Sequence, residues 1–294
     1  LFYITFHQTE SNIWAYDHKG NRKATKLLGN PASPTKLDEL RGIGFGPNGY
    51  LYVVNGDKKQ NQVLVYSGSG DGDGAYSFLG IYADPTVSTG IAHPFAVAFD
   101  ANNNGYVSSQ DTNVVTGLTP PSPNPAKPPY PKATTLGIAS FLTTGSGFLP
   151  GTFVASCYGA LDGVSPAPPN VPTPQGLDVD PPQGPASHSV RGVTVIDNFL
   201  YVADEPGNAV KMYPLTSVEI NGQTYAQGQL YKQITASNLQ GPVHLLVNNG
   251  TLYITSSAGC ILAYDVGTGA VTTFLSGLKS PAGMAFDSDG NFFF

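Results

Sequence analysis

The sequence predicts an all-β fold, and three observations carry that expectation. No helical 3.6-residue period persists anywhere along the 294 residues. Five stretches repeat one pattern: RGIGFGPNGYLYVVN (41–55), FAVAFDANNNGYVSS (95–109), RGVTVIDNFLYVAD (191–204), VHLLVNNGTLYIT (243–255) and AGMAFDSDGNFFF (282–294). Each is a short apolar strand, an Asn/Asp/Gly turn and a second apolar strand with an aromatic residue, the signature of a hairpin. The repeats are also spaced with some regularity. A repeat of fixed period decides an architecture, because one unit cannot bury its faces without its neighbours.

The units start at 41, 95, 191, 243 and 282, giving steps of 54, 96, 52 and 39, with 53 for the return across the termini. The step of 96 is about twice the others and predicts one further, diverged unit within about 133–189. Six units in 294 residues average 49 each, close to the ~40–50 residues of a four-stranded blade. The expected fold is therefore a six-bladed β-propeller of four-stranded antiparallel blades, one domain over 1–294. For the hidden unit TTLGIASF (134–141) reads as a fourth strand, GTFVAS (151–156) as a second and PQGLDVD (174–180) as another opening; the register stays open.

Each unit carries further strands. Third strands follow in NIWAYD (12–17), NQVLVYS (61–67), NVVTGL (113–118), NAVKMYP (208–214) and CILAYD (260–265), with Tyr16, Tyr66, Tyr213 and Tyr264 in one register and Gly117 outside it. Fourth strands are AYSFLGIYA (75–83), QLYKQI (229–234) and AVTTFL (270–275), which completes an antiparallel meander. First strands carry a small residue at one position (Gly42, Ala96, Gly192, Gly283), as crowding around an axis requires, and His244 breaks that rule. LFYITF (1–6) reads as a second strand, and the chain ends on a first strand and the opening of a second, so strands from the two termini close the ring and remove exposed edges. The overlap is imperfect, since Leu1–Ile4 and Asn291–Phe294 align to the same strand.

Two proline-rich insertions, about 119–132 and 164–186, hold 15 of the 25 prolines and read as stiff, extended loops. Charged residues make up 12% of the chain, the net charge is −6 and no basic stripe occurs, which argues against nucleic acid as a partner. No run of 18 apolar residues exists, so no membrane-spanning helix is expected. The chain opens without an initiator Met or a signal peptide, as a mature or trimmed chain would, so its targeting history is not visible and a secreted or extracellular location stays open. Cys157 and Cys260 fall in different units and are expected as free thiols. Asn249-Gly250-Thr251 is a glycosylation sequon placed where a tight hairpin turn is needed, and the turn is the expected role.

In this topology the loops entering first strands and those joining second to third strands share one face. The latter supply Glu10, Asp57, Asp111 and Glu205, with Asn12, Asn61, Asn113 and Asn208 recurring just before the third strand. An Asn there can cap its own turn or serve a ligand. The openings of the first strands add Arg41, Phe95, Arg191, Val243 and Ala282 around the axis, with His93, His188 and His244 nearby. Such a mouth can hold an anion or polar ligand, or its arginines can pair with Asp38, Glu39 or other carboxylates. The expected ligand-binding set is Arg41, Phe95, Asn61, Asp111, Asn113, Arg191, Glu205, Asn208 and His244. Asp71-Gly72-Asp73-Gly74 and Asp287-Ser288-Asp289-Gly290 look like fragments of calcium loops but lack the spaced ligands of a complete site. No catalytic, metal or cofactor motif occurs.

The segments 191–213 and 280–294 resemble NHL repeats and the wider propeller superfamily that includes regucalcin-like and gluconolactonase-like lactonases. That resemblance implies a divalent metal at the axis, held by Glu, Asn and Asp within Pro-Asn-Gly or Pro-Asp-Gly openings. This chain has Pro242-Val243-His244 and Pro281-Ala282-Gly283 there, and Val243 and Ala282 offer no ligand atom. The low charge and the Gly/Asn/Tyr-rich makeup are also similar to sugar-binding propellers, including mushroom lectins, which implies planar polar groups and an aromatic platform such as Trp14. The expectation is a non-enzymatic, lectin-like protein without cofactor, whose partners are glycans or glycoproteins bound in ligand-face loops or inter-blade pockets. The alternatives are an axial hydrolase or lactonase, in which His244→Ala abolishes turnover, and an NHL-type interaction scaffold.

Overall fold

The computed structural model describes residues 1–6, 11–68, 72–88, 90–111, 114–119, 132–135, 139–140, 154–155, 157–158 and 190–294. All regular structure among them is β. Blade 1 contains β1 (Phe2–Thr5), β2 (Ile13–Tyr16) and β3 (Arg22–Ala24). Blade 2 is β4 (Leu40–Phe45), β5 (Leu51–Asn55), β6 (Gln62–Gly68) and β7 (Tyr76–Ala83). Blade 3 is β8 (Pro94–Phe99), β9 (Gly105–Ser109), β10 (Val114–Thr119) and β11 (Thr134–Thr135). A short pair, β12 (Ala139–Ser140) with β13 (Val154–Ala155), follows, and β14 (Cys157–Tyr158) adds to β10.

Blade 4 is β15 (Val190–Ile196), β16 (Phe199–Asp204), β17 (Ala209–Pro214) and β20 (Lys232–Ile234), interrupted by the hairpin of β18 (Val218–Ile220) and β19 (Gln223–Tyr225). Blade 5 is β21 (Pro242–Asn248), β22 (Thr251–Ser256), β23 (Cys260–Asp265) and β24 (Val271–Ser276). The pair β25 (Ala285–Phe286) and β26 (Phe292–Phe293) returns to blade 1, where the rings of Phe2 and Phe293 lie 3.9 Å apart. Within blades every pairing is antiparallel, so each blade is a meander.

Alternation along the strands sends one set of apolar side chains to each neighbouring blade, and four buried clusters result. Blades 1 and 2 share Ile13, Leu27, Leu51 and Leu64; blades 2 and 3 share Tyr52, Val63, Val97 and Val107; blades 3 and 4 share Ala96, Tyr106, Val190 and Leu200; blades 4 and 5 share Tyr201, Val210, Ile254 and Leu262. Tyr253 against Phe286 and Phe292 continues blade 5 toward the closing strands.

The ring counts five blades among the described residues, not the six expected. Blades 3 and 4 are direct neighbours: they share the third of these clusters, and the Ser108 hydroxyl donates to the Arg191 carbonyl at 2.6 Å. No blade fits between them. Of the described residues in the 96-residue step, Thr134–Thr135 is the fourth strand of blade 3 and Cys157–Tyr158 a further partner of β10. GTFVAS supplies β13, and PQGLDVD lies outside the described residues.

The small residues of the first strands are explained in two of the three Gly cases. A Cβ on Gly42 would lie 2.7 Å from the Phe95 carbonyl, and one on Gly192 2.8 Å from the Val243 carbonyl, so the innermost backbones touch. Gly283 has open space instead. The predicted turn at Asn249-Gly250 is present, with φ of +48° and +72°. Cys260 is a free, buried thiol.

Candidate functional site

One local distortion builds the axial mouth. Each complete first strand carries a β-bulge at its start, between Leu40 and Ile43, Pro94 and Ala96, Val190 and Val193, and Pro242 and Leu245. A bulge kinks the strand and re-aims its side chains. The residues so displaced are Arg41, Phe95, Arg191 and the Val243–His244 pair. Hydroxyls opposite the bulge catch two amides that the ladder leaves unpaired: Ala96 N donates to Ser108 Oγ (3.1 Å) and His244 N to Thr255 Oγ1 (2.8 Å).

The bulges bring together most of the expected set. The guanidinium carbons of Arg41 and Arg191 lie 5.6 and 5.1 Å from the centre of the Phe95 ring. Arg41 contacts Glu39 (3.5 Å) and His93 Nε2 (2.7 Å), while His93 Nε2 also meets Glu39 (3.1 Å) and Nδ1 meets Asp111 (2.9 Å). Lys58 closes on Asp111 at 2.9 Å, and Arg191 Nε donates to Glu205 at 2.7 Å. Burial disfavours the charge of Asp111, but the bonds from Lys58 and His93 outweigh it and hold its carboxyl below the ordinary value. Burial, set against Glu39 and reinforced by the nearby Arg191, lowers Arg41. Lys58, Glu39 and His93 join the cluster without having stood in the expected set.

The remaining expected residues do structural work or stand apart. Asn61 Oδ1 accepts from His93 N at 2.6 Å, and Asn208 Oδ1 from Gly241 N at 2.8 Å. Asn12 does the same for Leu28 N at 2.9 Å. The recurring Asn therefore staples the loop before a third strand to the segment entering the next blade, a longer reach than the local cap expected of it. Among the described residues His244 has no side-chain hydrogen-bond partner; its Nδ1 is buried and unpartnered there, and burial lowers its pKa to about 4. Asn113, Glu10 and His188 lie outside the described residues.

A divalent cation at the hub, implied by the lactonase resemblance, does not fit these residues. The two carboxylates nearest His93 take opposite ring nitrogens, so they cannot share one ion with it. Among the described residues no group of three His, Cys, Asp or Glu side chains could hold a metal. The Asp-rich turns are likewise caps: Asp287 accepts from the amides of Asp289 and Asn291 (3.0 and 2.7 Å), and Asp73 from those of Thr25 and Lys26 (2.7 and 3.0 Å).

The concave space was not among the features expected from sequence. A cavity of about 660 Å³ opens on the loop face between blades 1 and 2, lined in part by Ser11, Lys26, Asn30, Thr35, Lys36 and Asp38. None of these six side chains has a hydrogen-bond or ion-pair partner among the described residues, whereas the axial charges are spent on one another. The backbones of Lys26, Lys36 and Asp38 are nevertheless fixed from blade 2. Asn55 donates to the Lys36 carbonyl and accepts from Asp38 N, both at 2.7 Å, Gln60 accepts from Lys36 N (3.2 Å), and Asp73 holds Lys26 N. Pro31 and Leu37 supply the apolar edge. Trp14, the aromatic expected under a sugar, is instead covered by Phe6 (4.4 Å) and Arg22 (4.9 Å).

No protein-family model and no curated protein matches the chain. Solved structures do. A 6-phosphogluconolactonase-like protein from Bacteroides uniformis aligns at 14% identity and TM-score 0.52, over 98% of this chain and 72% of that one. A streptogramin B lyase aligns at 14% and 0.50, over 99% and 85%. A virginiamycin B lyase from Staphylococcus aureus aligns at 15% and 0.47, over 96% and 73%. At such identities the likeness shows the fold alone: this chain is a β-propeller.

Proposed function

We propose that the protein is a carbohydrate-binding propeller without catalytic activity, and that the saccharide sits in the cavity between blades 1 and 2. The observation that carries this reading is the contrast in unspent hydrogen-bonding capacity. A sugar needs hydroxyl, amide and charged groups that face a concave space and are not already engaged. Ser11, Asn30, Thr35 and Asp38 meet that description, and the backbone of Thr35 and Asp38 is held before any ligand arrives, which lowers the entropy cost of binding. A single shallow polar site of this kind gives weak affinity unless the ligand or the protein is multivalent. Glycans or glycoproteins are the partners this reading implies.

A glycan array in the presence of EDTA tests it. The expected result is retention of a discrete set of glycans, competed by the free sugar and abolished by Asn30→Trp, which fills the cavity from an exposed position. No glycan retained, with folded protein on the array, refutes it. The second reading is an axial hydrolase or lactonase, favoured by His93 held between Asp111 and Glu39. It requires turnover of a lactone or ester that His93→Gln removes.

A further inference from the structure

The charge inside the cavity is unlike that of the rest of the chain. The protein carries 14 cationic and 20 acidic side chains, a net charge of −6. Yet the cavity collects two lysines, Lys26 and Lys36, against one carboxylate, Asp38. Of the eight other lysines among the described residues, four are in ion pairs: Lys23 with Asp17, Lys58 with Asp111, Lys132 with Asp84 and Lys211 with Asp204. Among the described residues Lys26 and Lys36 form no ion pair, and Asp38 forms none with either.

The two ammonium groups are also placed deliberately in the sense that their backbones are tied at both ends. Lys26 N donates to Asp73 Oδ1 and its carbonyl accepts from Gly74 N. Lys36 N donates to Gln60 and its carbonyl accepts from Asn55. Asp73 accepts from the Thr25 and Lys26 amides, which, together with the lesser attraction of the Lys26 and Arg22 charges, hold its carboxyl below the ordinary value. So the two backbones are positioned, and among the described residues neither charged head is held in an ion pair. Lysine ammoniums are compact point charges with three donors, suited to an anionic oxygen and to flanking hydroxyls.

We infer that the ligand of this cavity is an acidic saccharide, its anionic group held between Lys26 and Lys36 and its hydroxyls by Asn30, Thr35 and Asp38. The inference rests on the carbohydrate reading above and sharpens it to a ligand class. A uronic carboxylate and a sugar sulfate share the required chemistry. Asp38 orients the ligand: it repels the anionic end and accepts from hydroxyls, which fixes which way round the ring enters. Exposed charges are screened by salt, so the preference is expected to be moderate and to shrink as ionic strength rises.

The test is titration of the full chain with three probes: methyl glucuronide, a 6-sulfated methyl glucoside and neutral methyl glucoside. It is followed by calorimetry or ligand-observed NMR at 50 and 500 mM salt, with wild type, Lys26→Met/Lys36→Met and Lys26→Arg/Lys36→Arg. The expected result is about tenfold tighter binding of at least one acidic probe than of the neutral one, reduced at high salt. The Met pair removes that preference and the Arg pair retains most of it. Whether carboxylate or sulfate wins identifies the source of the charge. Equal binding of all three probes, unchanged in the Met pair, overturns the acidic-ligand inference and leaves the carbohydrate reading intact. Binding of no probe, with a glycan array that is also blank, refutes both. Melting curves of both double variants show whether they remain folded, and two exposed lysines are expected to leave them so.

Discussion

Alanine at Gly192 and at Gly283 is the same change at the same repeat position, and the structure predicts opposite outcomes. Neither glycine has the left-handed φ that would strain alanine, so sterics and chain entropy decide. A Cβ on Gly192 would stand 2.8 Å from the Val243 carbonyl, 3.0 Å from Leu245 N and 3.1 Å from His244 Cα. Ordinary contacts there need about 3.4 Å, so β15 must retreat from β21 by roughly 0.3–0.6 Å. All three obstacles are backbone, with no side chain to rotate away, and overpacking of this kind costs about 1–3 kcal/mol. A Cβ on Gly283 meets nothing within 4 Å. There alanine is expected to be neutral or to stabilise by about 0.4–1 kcal/mol through the unfolded chain. Urea denaturation of the three proteins measures both. Gly192→Ala lowers the midpoint with the slope unchanged, and Gly283→Ala does not lower it. Equal losses at the two sites would refute the contact between innermost strands of blades 4 and 5.

Other expectations follow from single contacts. Asn61→Gly keeps a residue at ease with φ of +48° but strands the His93 amide, and should cost about 1–2 kcal/mol in the same denaturation assay. His244 has its pKa lowered from 6.5 to about 4, so the unfolded chain binds the proton first; its contribution is whole above pH 6.5 and lost as pH falls toward 4, by at most about 3 kcal/mol. His244→Gln should flatten the stability profile of wild type across that window, measured by denaturant midpoint against pH. Asp73→Ala frees the backbone of Thr25 and Lys26 and should weaken saccharide binding severalfold in titration while the melting temperature hardly moves.

The repeats made the architecture legible because hairpin turns and apolar alternation are local, and each of the five visible units became a blade or its closing strands. Blade number was not local. A doubled interval is produced equally by a diverged unit and by an insertion, and only the packing of Ala96 and Tyr106 against Val190 and Leu200 distinguishes them. The axial residues were legible for a similar reason: a bulge at one repeat position gathers Arg41, Phe95 and Arg191. Their pairing was partly legible, since Glu39 was an expected partner of the arginines and does meet Arg41, whereas the links of His93 to Glu39 and of Lys58 to Asp111 join neighbouring blades and have no local signal. The recurring Asn carried a true signal with a different object, the next blade in place of its own turn or a ligand. The cavity left no trace in sequence because Lys26, Asn30 and Lys36 lie in a linker outside the repeat.

A crystal structure of the protein with the strongest glycan from the array tests the central claim most directly. The sugar is expected between Asn30 and Asp38, in the space shared by blades 1 and 2. A sugar seated instead over Arg41, Phe95 and Arg191 at the axis would contradict the account.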